Sequence, residues 1–208
     1  QDFRRHKIAS RIPGLNLSIL HLDPNPAAKK GNEPILFLHG ATFPSALAFG
    51  YRIDNYSWMD DLSQRGFDVY ALDLLGYGES DRYPEMRIAA EHRAPLGVAN
   101  EVVMDVNKAV DFIRSRTGVQ KIHLIGHSWG ATVVAKYSAE YGEKLDRIVL
   151  FAPFVQRPND PDLTEAPTVS YQCMTPQQRI EQFRGGTPRP DIVVLESDVL
   201  KSWGQKWL

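Results

Sequence analysis

Cysteine is nearly absent from this sequence: Cys173 stands alone among 208 residues. No intrachain disulfide is therefore possible, and stability has to come from a buried core. Long hydrophobic runs are missing as well, since none approaches the ~18–20 apolar residues that cross a bilayer. No sign of charge dominates. Lys and Arg number 24 against 25 Asp and Glu, a formal net charge of −1, which gives no electrostatic case for nucleic acid or an anionic membrane surface. There is no internal repeat, no low-complexity tract, no phosphate-cradling glycine loop and no metal-ligand spacing, so neither a metal nor an organic cofactor is expected. An initiator methionine is also lacking. Residues 1–10 are charged and unlike a signal peptide. A removed leader and a trimmed start both fit, with the cytoplasm the favoured compartment.

What the chain does have is 43% hydrophobic residues, enough for one domain core with an appended subdomain. Unbroken apolar runs fall at residues 35–38, 67–72, 122–125 and 148–152. Short runs without alternation predict strands buried on both faces, as in a parallel sheet. A further strand is predicted over 15–22, before a turn at 23–32. Between the runs, Val102, Val103, Val106, Ala109, Val110 and Ile113 mark one apolar helix face, ending at Gly118. Other helices are predicted over 129–141 and 56–64. Alternating strands and helices predict a mostly parallel α/β sheet with right-handed crossovers. From Pro153 onward prolines crowd, at 153, 158, 161 and 167. Residues 176–184 and 197–207 then read as short amphipathic helices. The expected division is core over 1–154, then a Pro-rich linker and partial helical cap over 155–208.

Three loops carry chemistry. Gly126-His127-Ser128-Trp129-Gly130 follows a predicted strand and opens a predicted helix. The bare G-x-S-x-G pattern arises by chance in roughly one chain in fifteen of this length, so the strand–helix context carries the weight. It predicts a sharp turn that projects the Ser128 oxygen above the sheet, with the Trp129 N–H at a helix N-terminus where an oxyanion is stabilised. The loop His39-Gly40-Ala41-Thr42 offers a second oxyanion N–H, with Ala41 first and Thr42 next. His39 is expected to brace that loop through hydrogen bonds. In residues 73–80, Asp73 is expected to cap a tight turn set by Gly76 and Gly78.

Taken together, Leu38-His39-Gly40, the Asp73-x-x-Gly76-x-Gly78-x-Ser80 pattern and the Ser128 loop resemble the α/β-hydrolase family, in its capped esterase, lactonase, peptidase and C–C hydrolase branches. The resemblance spans about residues 15–154. It implies Ser128 as nucleophile and Ala41 and Trp129 as oxyanion donors. Serine at the nucleophile position speaks against the carboxylate chemistry of haloalkane dehalogenases and epoxide hydrolases. The family orders its triad as Ser, then Asp or Glu, then His. Here the six histidines stand at 6, 21, 39, 92, 123 and 127, and none follows Ser128. The last core strands, which carry the acid and the base, also have no counterpart.

The expected activity is hydrolysis of a carboxylic ester or related acyl bond of a small molecule through an acyl-serine. A second polypeptide or missing C-terminal segment is expected to supply Asp or Glu and His. The competing readings are a non-catalytic binding protein on the same fold, and an acyltransferase or C–C hydrolase using the same serine. As local substitutes for the base or acid, His92, His127, Asp160 and Asp162 rank low. Asp105 and Asp111 are expected to be solvated on the long helix. Tyr171, Met174, Phe183 and Trp203 are expected to form cap core rather than a pocket wall.

Overall fold

The computed structural model describes residues 2–28, 31, 33–154, 168–186 and 196–206. The apolar runs form strands of one six-stranded sheet in the order β1-β2-β4-β3-β5-β6. Its strands are β1 Arg4–Ala9, β2 Asn16–Leu22, β3 Pro34–Leu38, β4 Asp68–Asp73, β5 Ile122–His127 and β6 Leu145–Phe151. Strands β4, β3, β5 and β6 run parallel, while β2 lies antiparallel to both β1 and β4. The helices are α1 Ser45–Ala48, α2 Trp58–Gln64, α3 Ala99–Thr117, α4 Trp129–Tyr141, α5 Pro176–Gly185 and α6 Ser197–Gln205.

Every residue of β3 and β4 is buried, because both faces of the sheet are covered. On one face Leu36, Leu38, Tyr70 and Leu72 pack with Val106, Val110 and Ile113 of α3 and Val133 and Val134 of α4. On the other, Ile35, Phe37, Val69 and Ala71 meet Phe49 and Met59. Each such side chain stabilises the fold by about 1.5–3 kcal/mol relative to an exposed one. Helix α3 stops at Gly118 in the left-handed region, φ 75° and ψ 3°, as its glycine predicts. Helix α2 starts on a capping box, with the Ser57 side chain accepting from the Asp60 amide.

Three expectations are corrected. Strand β1 is absent from the sequence reading because Arg4, Arg5 and Lys7 give it no apolar signature; pairing with β2 is what makes it a strand. Strand β6 was expected to be buried on both faces, yet Ile148, Val149, Leu150 and Phe151 are 39–50% exposed. Among the described residues β6 pairs only with β5. Asp105 is not solvated. It is 1% exposed and binds Arg11, through the Arg11 backbone N–H at 2.7 Å and the guanidinium. Asp111 does lie at the surface, paired with Lys144 and Arg114.

Candidate active site

The topology gathers the three loops at one end of the sheet. Each follows the C-terminal end of a parallel strand, and those strands, β4, β3 and β5, are adjacent. Such an edge is where open α/β sheets take ligands.

Ser128 is the single residue between β5 and α4. Its φ of 52° and ψ of −119° are costly for a residue with a side chain, about 1–3 kcal/mol. Hydrogen bonds hold it there. Its N–H donates to Phe151 O at 2.9 Å, and its carbonyl accepts from Ala131 N at 2.9 Å and Thr132 N at 3.3 Å. The flanking glycines leave no room for anything larger. A Cβ on Gly126 would lie 2.5 Å from Gly130 O, and one on Gly130 would lie 2.3 Å from Leu38 O. Gly40 brings the loop after β3 close as well, since its Cβ would meet the Ser128 Cβ at 3.0 Å. Because the first intrahelical bonds of α4 come from Ala131 and Thr132, the Trp129 and Gly130 N–H groups are left outside the helical ladder. They sit at the positive end of the helix.

His39 is fully buried and braces the loop as expected. Its Nδ1–H donates to Gly40 O at 2.7 Å, and its Nε2 accepts from Leu74 N at 3.1 Å. That pair of bonds defines the neutral tautomer, and burial holds the imidazole pKa below its ordinary value. Thr42, the second choice for oxyanion donor, has φ 95°, an outlier for a β-branched residue. Ala41 stays the loop's first candidate donor and Thr42 the next. Asp73 caps its turn, accepting Ser45 N–H at 2.8 Å and Glu79 N–H at 3.1 Å. Gly78, with φ 49°, is obligatory there, because a Cβ would lie 2.3 Å from the Asp73 carboxylate.

His127 stacks on Phe151 at 5.2 Å between ring centroids. Burial, then the charge of Arg179, lowers its pKa, so it is a neutral wall near the serine. His92 has φ 56° in an exposed loop, where its N–H donates to Thr168 O. No bond joins His92 to Ser128 among the described residues. Asp160 and Asp162 lie outside the described residues. Helices α5 and α6 sit on the loop after β3: Trp203 packs edge-on against Phe43 at 5.5 Å and its Nε1–H reaches Leu47 O at 3.4 Å. Phe183 meets Trp203 at 6.4 Å. Tyr171 instead donates to Ile88 O, and Met174 lines a groove with Gln172, Gln178, Glu181 and Gln182.

The groups best suited to a cation lie elsewhere. Ligand atoms of His21, Asp23 and Asp68 fall within 4.8 Å of one another, at the end of β4 opposite Asp73. They are already engaged: His21 binds Asp68 at 2.7 Å and His6 at 3.0 Å, and Asp23 pairs with Arg4.

The model of the alpha/beta hydrolase fold family matches residues 33–203. A (lyso)-N-acylphosphatidylethanolamine lipase of Mus musculus is 32% identical over 143 residues, covering 67% of this chain and 36% of that protein. The 1-acylglycerol-3-phosphate O-acyltransferase ABHD5 of Homo sapiens is 34% identical over 97 residues, covering 47% of this chain and 25% of that protein. The matched stretch thus spans between a quarter and little more than a third of the length of these relatives. Among solved structures, the epoxide hydrolase VrEH1 of Vigna radiata superposes with a TM-score of 0.52 at 20% identity, covering 77% of this chain and 41% of that one. The carboxylesterase CesB of Bacillus subtilis gives 0.50 at 18% identity, covering 74% and 44%. At such identity these two speak for the fold alone.

Proposed function

This chain belongs to the α/β-hydrolase family, and from that premise we propose that it carries the nucleophile and oxyanion hole of a serine hydrolase acting on acyl esters. The observation that carries this reading is Ser128 itself: a strained, glycine-flanked serine between β5 and α4, with the Gly40 backbone against its Cβ. In the proposed reaction the Ser128 hydroxyl oxygen attacks the acyl carbonyl, and the hydroxyl proton passes to a base. The Ala41 and Trp129 N–H groups take the developing oxyanion. The tetrahedral intermediate collapses to an acyl-serine as the leaving alcohol takes that proton, and water repeats the sequence to release the acid.

The base we assign to a polypeptide segment outside residues 1–208. All six histidines precede Ser128. His39 is locked in the loop after β3, His6 and His21 lie in the network around Asp68, and His123 lies beside Glu33 and Asp146. Strand β6 supports the same assignment. Its apolar residues are exposed on a parallel edge, a surface that invites another strand.

Fluorophosphonate labelling followed by intact mass tests the reading. The folded protein is expected to gain one adduct, mapped to Ser128 by peptide analysis, and the Ser128→Ala variant none. A folded protein that is not labelled at Ser128 even with imidazole supplied as a base sinks it.

A further inference from the structure

Arg179, on α5, is placed in a way that its packing alone does not explain. Its guanidinium carbon lies over two aromatic rings, 4.7 Å from the Phe183 centroid and 5.7 Å from that of Phe43. Phe43 belongs to the same loop as Gly40 and Ala41. Arginine has five N–H donors in a planar fork. Here one hydrogen bond is made, from Nη1 to Gln182 Oε1 at 2.8 Å, while Nε is buried with no partner. Among the described residues no carboxylate pairs with it. A guanidinium nitrogen removed from water, as Nε is here, is normally paired. Its charge also reaches His127, the residue before the candidate nucleophile.

With Nη1 on Gln182 and Nε unpartnered, the fork keeps donors to offer a ligand. Such a fork matches a carboxylate or phosphate presented in its plane. Around it, Phe43, Phe183 and Trp203 supply apolar walls. A single unpaired cation set among aromatic rings suits an amphiphile, with an alkyl or acyl chain against the rings and an oxyanion on the fork. Resting on the assignment of Ser128 as nucleophile, we propose that Arg179 is the headgroup subsite of an acyl substrate that carries an oxyanionic group. The enzyme thereby selects anionic acyl amphiphiles over neutral ones.

Calorimetric titration of the whole chain in the Ser128→Ala background tests this without turnover. The probes are dodecyl phosphate, dodecyl maltoside and inorganic phosphate, each below any micelle concentration. Dodecyl phosphate is expected to bind at least about tenfold more tightly than the maltoside. Arg179→Met, which keeps an unbranched apolar stem, is expected to weaken dodecyl phosphate by about ten- to a hundredfold, the loss of a charge-assisted bidentate contact. Maltoside binding should stay unchanged, and Arg179→Lys should fall between. Three results overturn the proposal: no loss in Arg179→Met, an equal loss for both amphiphiles, which marks a merely structural clasp, or inorganic phosphate binding as tightly as dodecyl phosphate. The fluorophosphonate experiment reports on Ser128 separately. A preference for the anionic probe that survives without labelling refutes the nucleophile and leaves the subsite standing.

Discussion

Gly130→Ala is expected to destabilise the protein by about 3 kcal/mol or more and to suppress labelling at Ser128. The methyl group would be built 2.3 Å from Leu38 O, 2.5 Å from His39 O and 2.8 Å from Leu38 C. All three are backbone atoms at the end of β3, so no side chain can swing aside. Overpacking commonly costs ~1–3 kcal/mol where neighbours relax; here helix α4 and strand β3 must separate. That separation also pulls the loop carrying Gly40 and Ala41 away from the serine. Gly142→Ala is the matched control. Gly142 has φ −57° and ψ −25°, with open space where a Cβ would point. Alanine there is expected to be neutral or stabilising by up to ~1 kcal/mol. Urea unfolding of the three proteins measures both effects.

Asp105→Ala is expected to cost about 3 kcal/mol, from the general penalty for breaking a buried ion pair. Its carboxylate accepts both the backbone and the side-chain N–H groups of Arg11 from a position 1% exposed. Burial pushes its pKa up, and Arg11 offsets part of that. Removing the carboxylate leaves a largely buried guanidinium with only the exposed Glu101 carboxylate and the Tyr83 hydroxyl as partners. The contact ties residue 11, at the end of the β1–β2 hairpin, to α3 across 94 positions of sequence. The double variant Arg11→Met, Asp105→Leu is expected to recover part of the loss, because apolar replacements of a buried pair avoid its desolvation penalty. Thermal unfolding of the single and double variants separates the terms.

Asp105 also marks where sequence reading stops. It lies among Val102, Val103, Val106 and Ala109, all buried. Its side chain argues for solvent, and only a partner 94 residues away reverses that argument. Local spacing carries no trace of such a pair. Strand β1 escapes notice for a related reason: charged residues on an edge become a strand by pairing, not by pattern. The φ of 95° at Thr42 is invisible too, because nothing marks a β-branched residue for the left-handed region. By contrast, each of the three loops was legible. Gly126, Gly130 and Gly78 sit where a Cβ would strike backbone or the Asp73 carboxylate, and such steric exclusion leaves a direct mark on sequence. The apolar character of β6 is plain in the sequence, but the burial that it implies is not supplied by the described residues. That mismatch supports the proposal that another segment packs on β6 and brings the base.

We propose above that Ser128 is a nucleophile whose base comes from outside residues 1–208. That proposal is tested most directly by the rate of fluorophosphonate addition at Ser128 as imidazole is added to the solution. A diffusible imidazole can take the hydroxyl proton in place of the absent histidine. The account predicts slow labelling of the chain alone, a rate that climbs with imidazole concentration, and no adduct at residue 128 in Ser128→Ala. A fast rate indifferent to imidazole would mean that the chain already contains its base. A folded protein that is never labelled at Ser128, at any imidazole concentration, would mean that this serine is not a nucleophile.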